Sequence, residues 1–248
     1  MNIPLEYWQH HTILYVMLFL IQYVCGLLVI HRNVKVNYTR KINHFAFFFL
    51  PVLLLSVVEY EYSAATFAMD IVFVFAFFSF FIAPIRNRVK LISVMFHSFD
   101  RPEDRPFTLA WLFSQFAASY LVLIPLLVYF DRHDMLPLIM IIILSNGVGD
   151  GLAEPVGIRY GKRKYTTYAL LTKKKYVRSY AGSACVYVAT FLAILMYQQY
   201  FSAIQLIVAL LTIPILITLA EAFSPHTWDS PLIYSVGGVS LIGVFYIF

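Results

Sequence analysis

The fold is decided by TILYVMLFLIQYVCGLLVI, residues 12–30, a run of 19 residues without a charged side chain. A helix needs about 20 mostly apolar residues to cross the hydrocarbon core of a bilayer. Comparable runs follow near 44–59, 66–84, 107–130, 135–157, 180–199, 203–221 and 230–248. Each run is predicted to be a helix, because open sheet edges cannot satisfy their hydrogen bonds in hydrocarbon. We therefore expect an all-α integral membrane protein, residues 1–248, with about eight transmembrane helices in a single domain.

The composition of the whole chain indicates that lipid is its main solvent. Hydrophobic residues make up 61% of the 248 residues and charged residues only 12%. Soluble domains carry about a quarter charged residues, so a soluble globular protein is excluded. Cys25 and Cys185 both lie inside apolar runs, which predicts neither a disulfide framework nor a cysteine metal motif.

The placement of lysine and arginine predicts the orientation. If the N-terminus lies outside, 17 of the 18 basic residues fall in loops on the cytosolic side, and only Arg132 lies outside. The positive-inside rule then predicts eight spans with both termini outside. Cytosolic loops that form the active site are expected at 31–43, 85–106, 158–179 and 222–229. The net charge of +5 needs no nucleic-acid partner, and the small size is typical of a prokaryotic cell membrane protein.

The fifth run ends in a polar, glycine-rich block, NGVGDGLAEPVGIRYGKRK, residues 146–164. A helix would bring Asn146, Asp150 and Glu154 to one face, and five of the ten glycines lie around them. Ionisable groups at membrane depth usually face a cavity or a partner. One interpretation is a helix-packing seam of small residues, with its carboxylates neutralised by Arg or Lys. The alternative is a metal–polyphosphate site.

Two cytosolic loops carry the remaining unusual charge. Eight cations lie between Arg159 and Arg178, where they could bind anionic lipid headgroups or a triphosphate. Gly182 and Ser183 follow at the start of the sixth run, where backbone N–H groups favour anions. Glu221 and Asp229 flank the seventh loop and could form a salt-bridge latch with the basic loop or act as Mg²⁺ ligands. Separately, RPEDRP at 101–106 predicts a structured loop with internal ion pairs.

Together these motifs resemble the dolichol kinase and phytol kinase family of CTP-dependent lipid-alcohol kinases, which is related to the CDP-diacylglycerol synthases. The resemblance lies in the Asp150–Lys162 block, the basic stretch and Gly182-Ser183. Arg40-Lys41-Ile-Asn-His44 and Glu221…Asp229 are similar to further family elements. Ser230 stands where many members carry Asn. The Ser-x-Lys-Arg and His-Gly-Gly blocks of CDP-diacylglycerol synthases are missing, which argues against cytidylyl transfer.

The resemblance implies phosphoryl transfer from CTP, with Mg²⁺, to the hydroxyl of a membrane lipid alcohol. Asp150 and Glu154 would be catalytic, and together with Glu221 and Asp229 they would bind the metal. The implied phosphate-binding set is Arg40, Lys41, Gly149, Gly151, Gly157, Gly161, Lys162, Lys164, Lys173, Lys174, Lys175, Arg178, Gly182 and Ser183. A cytidylyltransferase that makes a CDP-lipid is the second hypothesis, and a non-enzymatic transporter is the third.

Overall fold

A computed structural model of the chain describes residues 3–170 and 172–248, which pack as two compact units that divide between Phe113 and Ser114. Helices dominate the first unit. α1 begins after Pro4, and its end is closed by Asn33, whose left-handed backbone lets its N–H bond to the carbonyl of Leu28. The helices of this unit are α1 Leu5–Arg32, α2 Val36–Leu55, α3 Ala64–Ser79, α4 Ala83–Arg86, α5 Lys90–Phe96 and the first turns of α6 Thr108–Arg132.

In the first unit, α1 packs against α2 and α5. The α1–α5 contact requires Gly26, because a Cβ there would lie 2.0 Å from the carbonyl oxygen of Val94. At the N-terminal end of α1, Asp70 of α3 accepts hydrogen bonds from Tyr7 and His11, each at 2.8 Å. Close backbone packing and one carboxylate thus connect three helices.

The segment between α5 and α6 is a structured loop, as predicted. The Nε of Arg101 donates to Asp104 at 2.7 Å, and the Nε of Arg105 donates to Asp100 at 2.7 Å. Asp100 also accepts from the hydroxyl of Thr108, the first residue of α6. The ion pairs close the loop on itself.

The second unit is built from helices and one β-hairpin. A π-helical turn at Ser145–Asp150 joins α7 to α8 within one continuous helical segment, Leu136–Tyr160. The core of the second unit is mostly aliphatic, and Gly237 of the C-terminal helix lies against Ile142 and Ile217 in it. The elements that follow α6 are α7 Ile139–Leu144, α8 Gly151–Tyr160, β1 Lys164–Ala169, β2 Thr172–Ser179, α9 Tyr180–Met196, α10 Ala203–Phe223 and α11 Asp229–Ile247.

The basic segment expected to be a cytosolic loop, 158–179, contains the end of α8 and the antiparallel pair β1–β2. Thr167 pairs with Tyr176, and both side chains lie on the buried face, while Thr166 and Val177 pair on the exposed face. This alternation of β-branched and aromatic residues favours strands. The all-α prediction is therefore incomplete, because the apolar-run criterion detects only helices that lie in lipid.

Each of the eight predicted runs overlaps a helix, which agrees with a helical, membrane-embedded protein. Among the described residues, five segments are long and apolar enough to cross a membrane: Leu5–Arg32, Thr108–Arg132, Leu136–Tyr160, Ala203–Phe223 and Asp229–Ile247. α3 and α9 are apolar but shorter. The predicted loop 31–43 includes the end of α1 at Arg32 and, from Val36 onward, the start of α2. The first turns of α2 are polar, and helical hydrogen bonds continue through polar residues outside an apolar run.

Candidate functional site

The polar site of the second unit is centred on Arg178, a residue of β2 whose side chain is mostly buried. Nη1 donates to the carboxylate and the backbone carbonyl of Glu221, at the end of α10. Nη2 donates to the carboxylate of Asp229, the first residue of α11. Burial alone would lower the pKa of Arg178, but Asp229 and Glu221 raise it above its ordinary value. The acidic loop and the basic segment therefore form a salt-bridge latch, one of the two interpretations of the sequence.

Ser224 completes the contacts of the guanidinium. Its hydroxyl accepts a hydrogen bond from Nη2 of Arg178 at 2.9 Å. The same hydroxyl lies within bonding distance of the carbonyl of Glu221, at 2.8 Å, and of the carboxylate of Asp229. Ser224 directly follows α10, so it joins the C-terminus of that helix to the ion pairs.

A chain of hydroxyls connects β1 to the same carboxylate. Ser183, in the first turn of α9, donates to Oε2 of Glu221 at 3.1 Å, and its oxygen lies 2.6 Å from the hydroxyl of Tyr165. Since the hydrogen of Ser183 is given to Glu221, Tyr165 is the donor to Ser183. Burial, and next the charge of Glu221, raise the pKa of Tyr165 and keep this phenol protonated.

Beside Glu221 lies a second buried polar group. Asn146, in the π-helical turn, donates from Nδ2 to the hydroxyl of Tyr234 at 2.7 Å, and its Oδ1 has no hydrogen-bond partner. Asp150 is buried and close enough to interact electrostatically with both Tyr234 and Glu221. Asn146 and Asp150 both interact with Tyr234. Glu154 lies one turn further along α8 and is half-buried.

The hairpin is attached to residues 224–228, named here the fastening loop. The hydroxyl of Thr167 donates to the carbonyl of Ser224 at 2.8 Å, and the N–H of His226 donates to the carbonyl of Tyr168 at 2.7 Å. The imidazole of His226 stacks on Tyr176 with ring centroids 3.6 Å apart. The inner face of the hairpin thus covers the end of the helix that carries Glu221.

The fastening loop contains a strained residue. Thr227 has φ of 71°, in the left-handed region, which is unusual for a β-branched side chain. Its hydroxyl is buried without a hydrogen-bond partner. Both features cost free energy, so the fastening loop is locally strained at Thr227.

The glycines of the site make helix packing close. A Cβ at Gly149 would lie 2.9 Å from the Cα of Val186, and one at Gly182 would lie 2.6 Å from the carbonyl of Ala153. Gly157 and Gly161 lie against Ser179 in the same way, and Gly151 is buried. These contacts support the packing-seam interpretation for the α8–α9 pair. They account for the glycines without a bound phosphate.

Most cations of the hairpin are exposed, unlike Arg178. Three of them directly follow α8, up to and including the first residue of β1, and three lie in the first half of β2. The exposed set is Lys162, Arg163, Lys164, Lys173, Lys174 and Lys175. Arg159 lies over the ring of Tyr160. The structure thus divides the predicted phosphate-binding set into one buried latch and an accessible basic surface.

Arg40 and Lys41 belong to the first unit, on α2. Arg40 is half-buried and Lys41 is buried. Next to them, Thr39 donates to the carbonyl of Ser98 at 2.7 Å, and Asn43 donates to its hydroxyl. This part of α2 is therefore tied to the segment after α5.

The predicted Mg²⁺ ligands do not form a metal site in this arrangement. Glu221 and Asp229 are both bonded to Arg178, whose guanidinium occupies the space between them. Within residues 3–170 and 172–248, no group of three His, Cys, Asp or Glu side chains is placed to hold a metal ion. The Oδ1 of Asn146 has no hydrogen-bond partner and could serve as one metal ligand, but it does not complete a ligand set.

Sequence reasoning missed Tyr165, Ser224, His226 and Tyr234. Ser224 and His226 lie inside the Glu221–Asp229 segment that had been singled out, so their position was a usable signal. Tyr165 and Tyr234 are two of 18 tyrosines, and nothing in their neighbourhood marks them. Comparisons of the chain with protein-family models, curated proteins and solved structures find no match.

Proposed function

We propose that this chain is a membrane-embedded kinase that transfers the γ-phosphoryl group of CTP to the hydroxyl of a lipid alcohol. The alcohol would be a polyprenol, dolichol, a phytol-like alcohol or diacylglycerol. The observation that carries the proposal is the grouping of Asp150, Glu221 and Asp229 with a cationic hairpin at one end of the second unit. Phosphoryl transfer depends mainly on positioning and on charge stabilisation, which acids and cations grouped at one place can supply.

In this proposal Asp150 accepts the proton of the lipid hydroxyl, whose oxygen attacks the γ-phosphorus while CDP leaves. CTP arrives as its Mg²⁺ complex, so the metal is part of the substrate. The exposed lysines of the hairpin neutralise phosphate charge. Glu154 and Glu221 support the geometry of Asp150. The apolar tail enters sideways from the bilayer between helices.

The proposal includes a membrane topology. Eight helices cross the bilayer, both termini lie outside, and the hairpin faces the cytosol, where CTP is available. A prokaryotic cell membrane is the proposed location. The support is the distribution of the basic residues, 17 of which fall on one side in this topology.

The test is a transfer assay with purified protein and a panel of lipid alcohols, using CTP labelled at either the γ- or the α-phosphate. We expect lipid-bound label only from γ-labelled CTP. Asp150→Asn should lower the rate roughly 10²- to 10⁴-fold, the usual contribution of a general base. Asp131→Asn, the same change at an exposed residue of α6, is the matched control and should keep the rate.

Two other results would replace the proposal. Transfer of the α-label would indicate a cytidylyltransferase that makes a CDP-lipid. Absence of transfer from either label, together with an ion flux that Asp150→Asn stops, would indicate a transporter.

A further inference from the structure

The β1–β2 hairpin is a separate element that lies over buried charge. An isolated two-stranded hairpin is marginally stable in water, so its position depends on what it docks against. Its inner face contacts Glu221 through Arg178 and through the Tyr165–Ser183 hydroxyl chain. Glu221 is only 5% exposed, and both contacts reach its carboxylate.

The two ends of the hairpin are held differently. At the end next to α8 and α9, a Cβ at Gly161 would lie 2.6 Å from the Cβ of Ser179, so the backbone there is tightly packed. Toward the other end, the contacts are the Thr167–Ser224 and His226–Tyr168 hydrogen bonds and the Tyr176–His226 stack. Such polar contacts can exchange with water, whereas close backbone packing cannot.

Undocking the hairpin would release its hydrogen bonds to the fastening loop, which contains the strained Thr227. Thr227 keeps its left-handed backbone and its buried, unpaired hydroxyl while the hairpin is docked. Strained residues of this kind occur at switch segments, where two arrangements are close in free energy. The Arg178 ion pairs oppose the release, because breaking them would leave Glu221 and Asp229 without their cation.

We propose that the β1–β2 hairpin is a hinged cover that controls the access of water and solutes to the buried carboxylates, with Arg178 as its latch. The hinge is the packed end at Gly161 and Ser179. Rotation about it turns the inner face, with the guanidinium of the adjacent Arg178, away from the carboxylates, and the end docked on the fastening loop moves furthest. When the cover opens, Glu221 and Asp229 exchange the guanidinium for water or another cation. This explains why the acids do not form a metal site in the closed arrangement. The inference does not rest on the kinase proposal.

The test uses two adjacent residues on opposite faces of β1 as thiol reporters. In a Cys25→Ala/Cys185→Ala background, Thr167→Cys places a thiol on the buried face, and Thr166→Cys places one on the exposed face. A water-soluble maleimide should modify the Thr166→Cys protein at once and the Thr167→Cys protein slowly, as the cover opens. Adding Arg178→Gln removes the charge-assisted hydrogen bonds to Glu221 and Asp229, so the cover should open more often. We therefore expect the Thr167→Cys thiol to react roughly 10- to 100-fold faster.

The controls separate opening from misfolding. Lys175→Gln removes the same charge from an exposed position on β2 and should leave the slow rate unchanged. His226→Ala removes the stack on Tyr176 but keeps the ion pairs, and should speed labelling roughly 2- to 10-fold. If Arg178→Gln does not fold, the His226→Ala variant still tests the cover. The proposal is overturned if the Thr167→Cys thiol stays unmodified in the Arg178→Gln and His226→Ala variants. It is also overturned if, without these substitutions, the Thr167→Cys thiol reacts as fast as the Thr166→Cys thiol.

Discussion

At the scale of the residue, Arg178 shows why side-chain geometry decides between interpretations that charge alone leaves open. Its planar guanidinium carries five N–H donors, so it can bond to Glu221, Asp229 and Ser224 together. A lysine has one ammonium and could not span the same partners. The shape of an arginine therefore fits a buried latch, and Arg178 lies on the inner face where Arg163 does not. The exposed lysines remain accessible to anions.

Thr227 gives a prediction at the same scale. Thr227→Gly should raise the free energy of unfolding by about 1 kcal/mol, because a left-handed backbone costs a non-glycine residue about 1–2 kcal/mol. Thr166→Gly makes the same replacement at a residue of β1 without positive φ. It should lower the free energy of unfolding by about 0.5–1 kcal/mol, since glycine loses more entropy on folding. Denaturant unfolding of the protein in detergent measures both, and equal losses would show that Thr227 is unstrained.

At the scale of the element, the contact between α8 and α9 positions the site. Gly182 lies against the carbonyl of Ala153, and Ser179 caps α9 by accepting from the N–H of Gly182 at 3.1 Å. Ser183 follows directly and reaches Glu221. The distance between the two helices therefore sets whether the hydroxyl chain from Tyr165 to Glu221 can form.

Gly182→Ala tests this packing. The added methyl group would meet a backbone carbonyl that cannot move aside, so we expect the protein to lose about 1–3 kcal/mol of stability. Gly243→Ala in α11 is the matched control, because nothing lies within 4 Å of a Cβ there. It should be neutral or stabilise by up to about 1 kcal/mol, the helix-propensity gain. A thermal unfolding midpoint that moves equally for both would contradict the packing argument.

At the scale of the whole molecule, the distribution of charge relative to the apolar helices is the main organising feature. The described helices include five that are long and apolar enough to cross a bilayer, and the hairpin with its exposed lysines follows one of them directly. Lysines near a membrane surface stay on the cytosolic side, where anionic lipids attract them. Successive spans cross the bilayer in alternate directions. Once the side of the membrane that one loop faces is known, the sides of the other loops follow.

Topology is therefore testable with two reporters in a Cys25→Ala/Cys185→Ala background. Lys173→Cys on the hairpin should react with a membrane-impermeant maleimide only after cells are lysed. His133→Cys, exposed between α6 and α7, should react in intact cells. Labelling is read on gels after purification. Reaction of Lys173→Cys in intact cells would reverse the orientation and place the hairpin outside.

The sequence by itself determined that this is a helical membrane protein and where its apolar segments lie. Lipid requires every backbone group in a span to be bonded within the span, so this information is local. It also indicated Asp150, Glu221, Asp229 and Arg178 as notable residues, and it included the latch among its interpretations. These residues are conspicuous in the sequence because charge in an apolar chain is rare.

Only the tertiary structure decided what those charges do. Arg178 meets Glu221 across 43 positions of the chain and Asp229 across 51 positions, and no local pattern specifies such a pairing. The hairpin and the docking of its inner face on Ser224 and His226 likewise depend on contacts between distant segments. Lipid acts on each segment alone, but a buried guanidinium selects its partners by geometry, which exists only after the helices have packed.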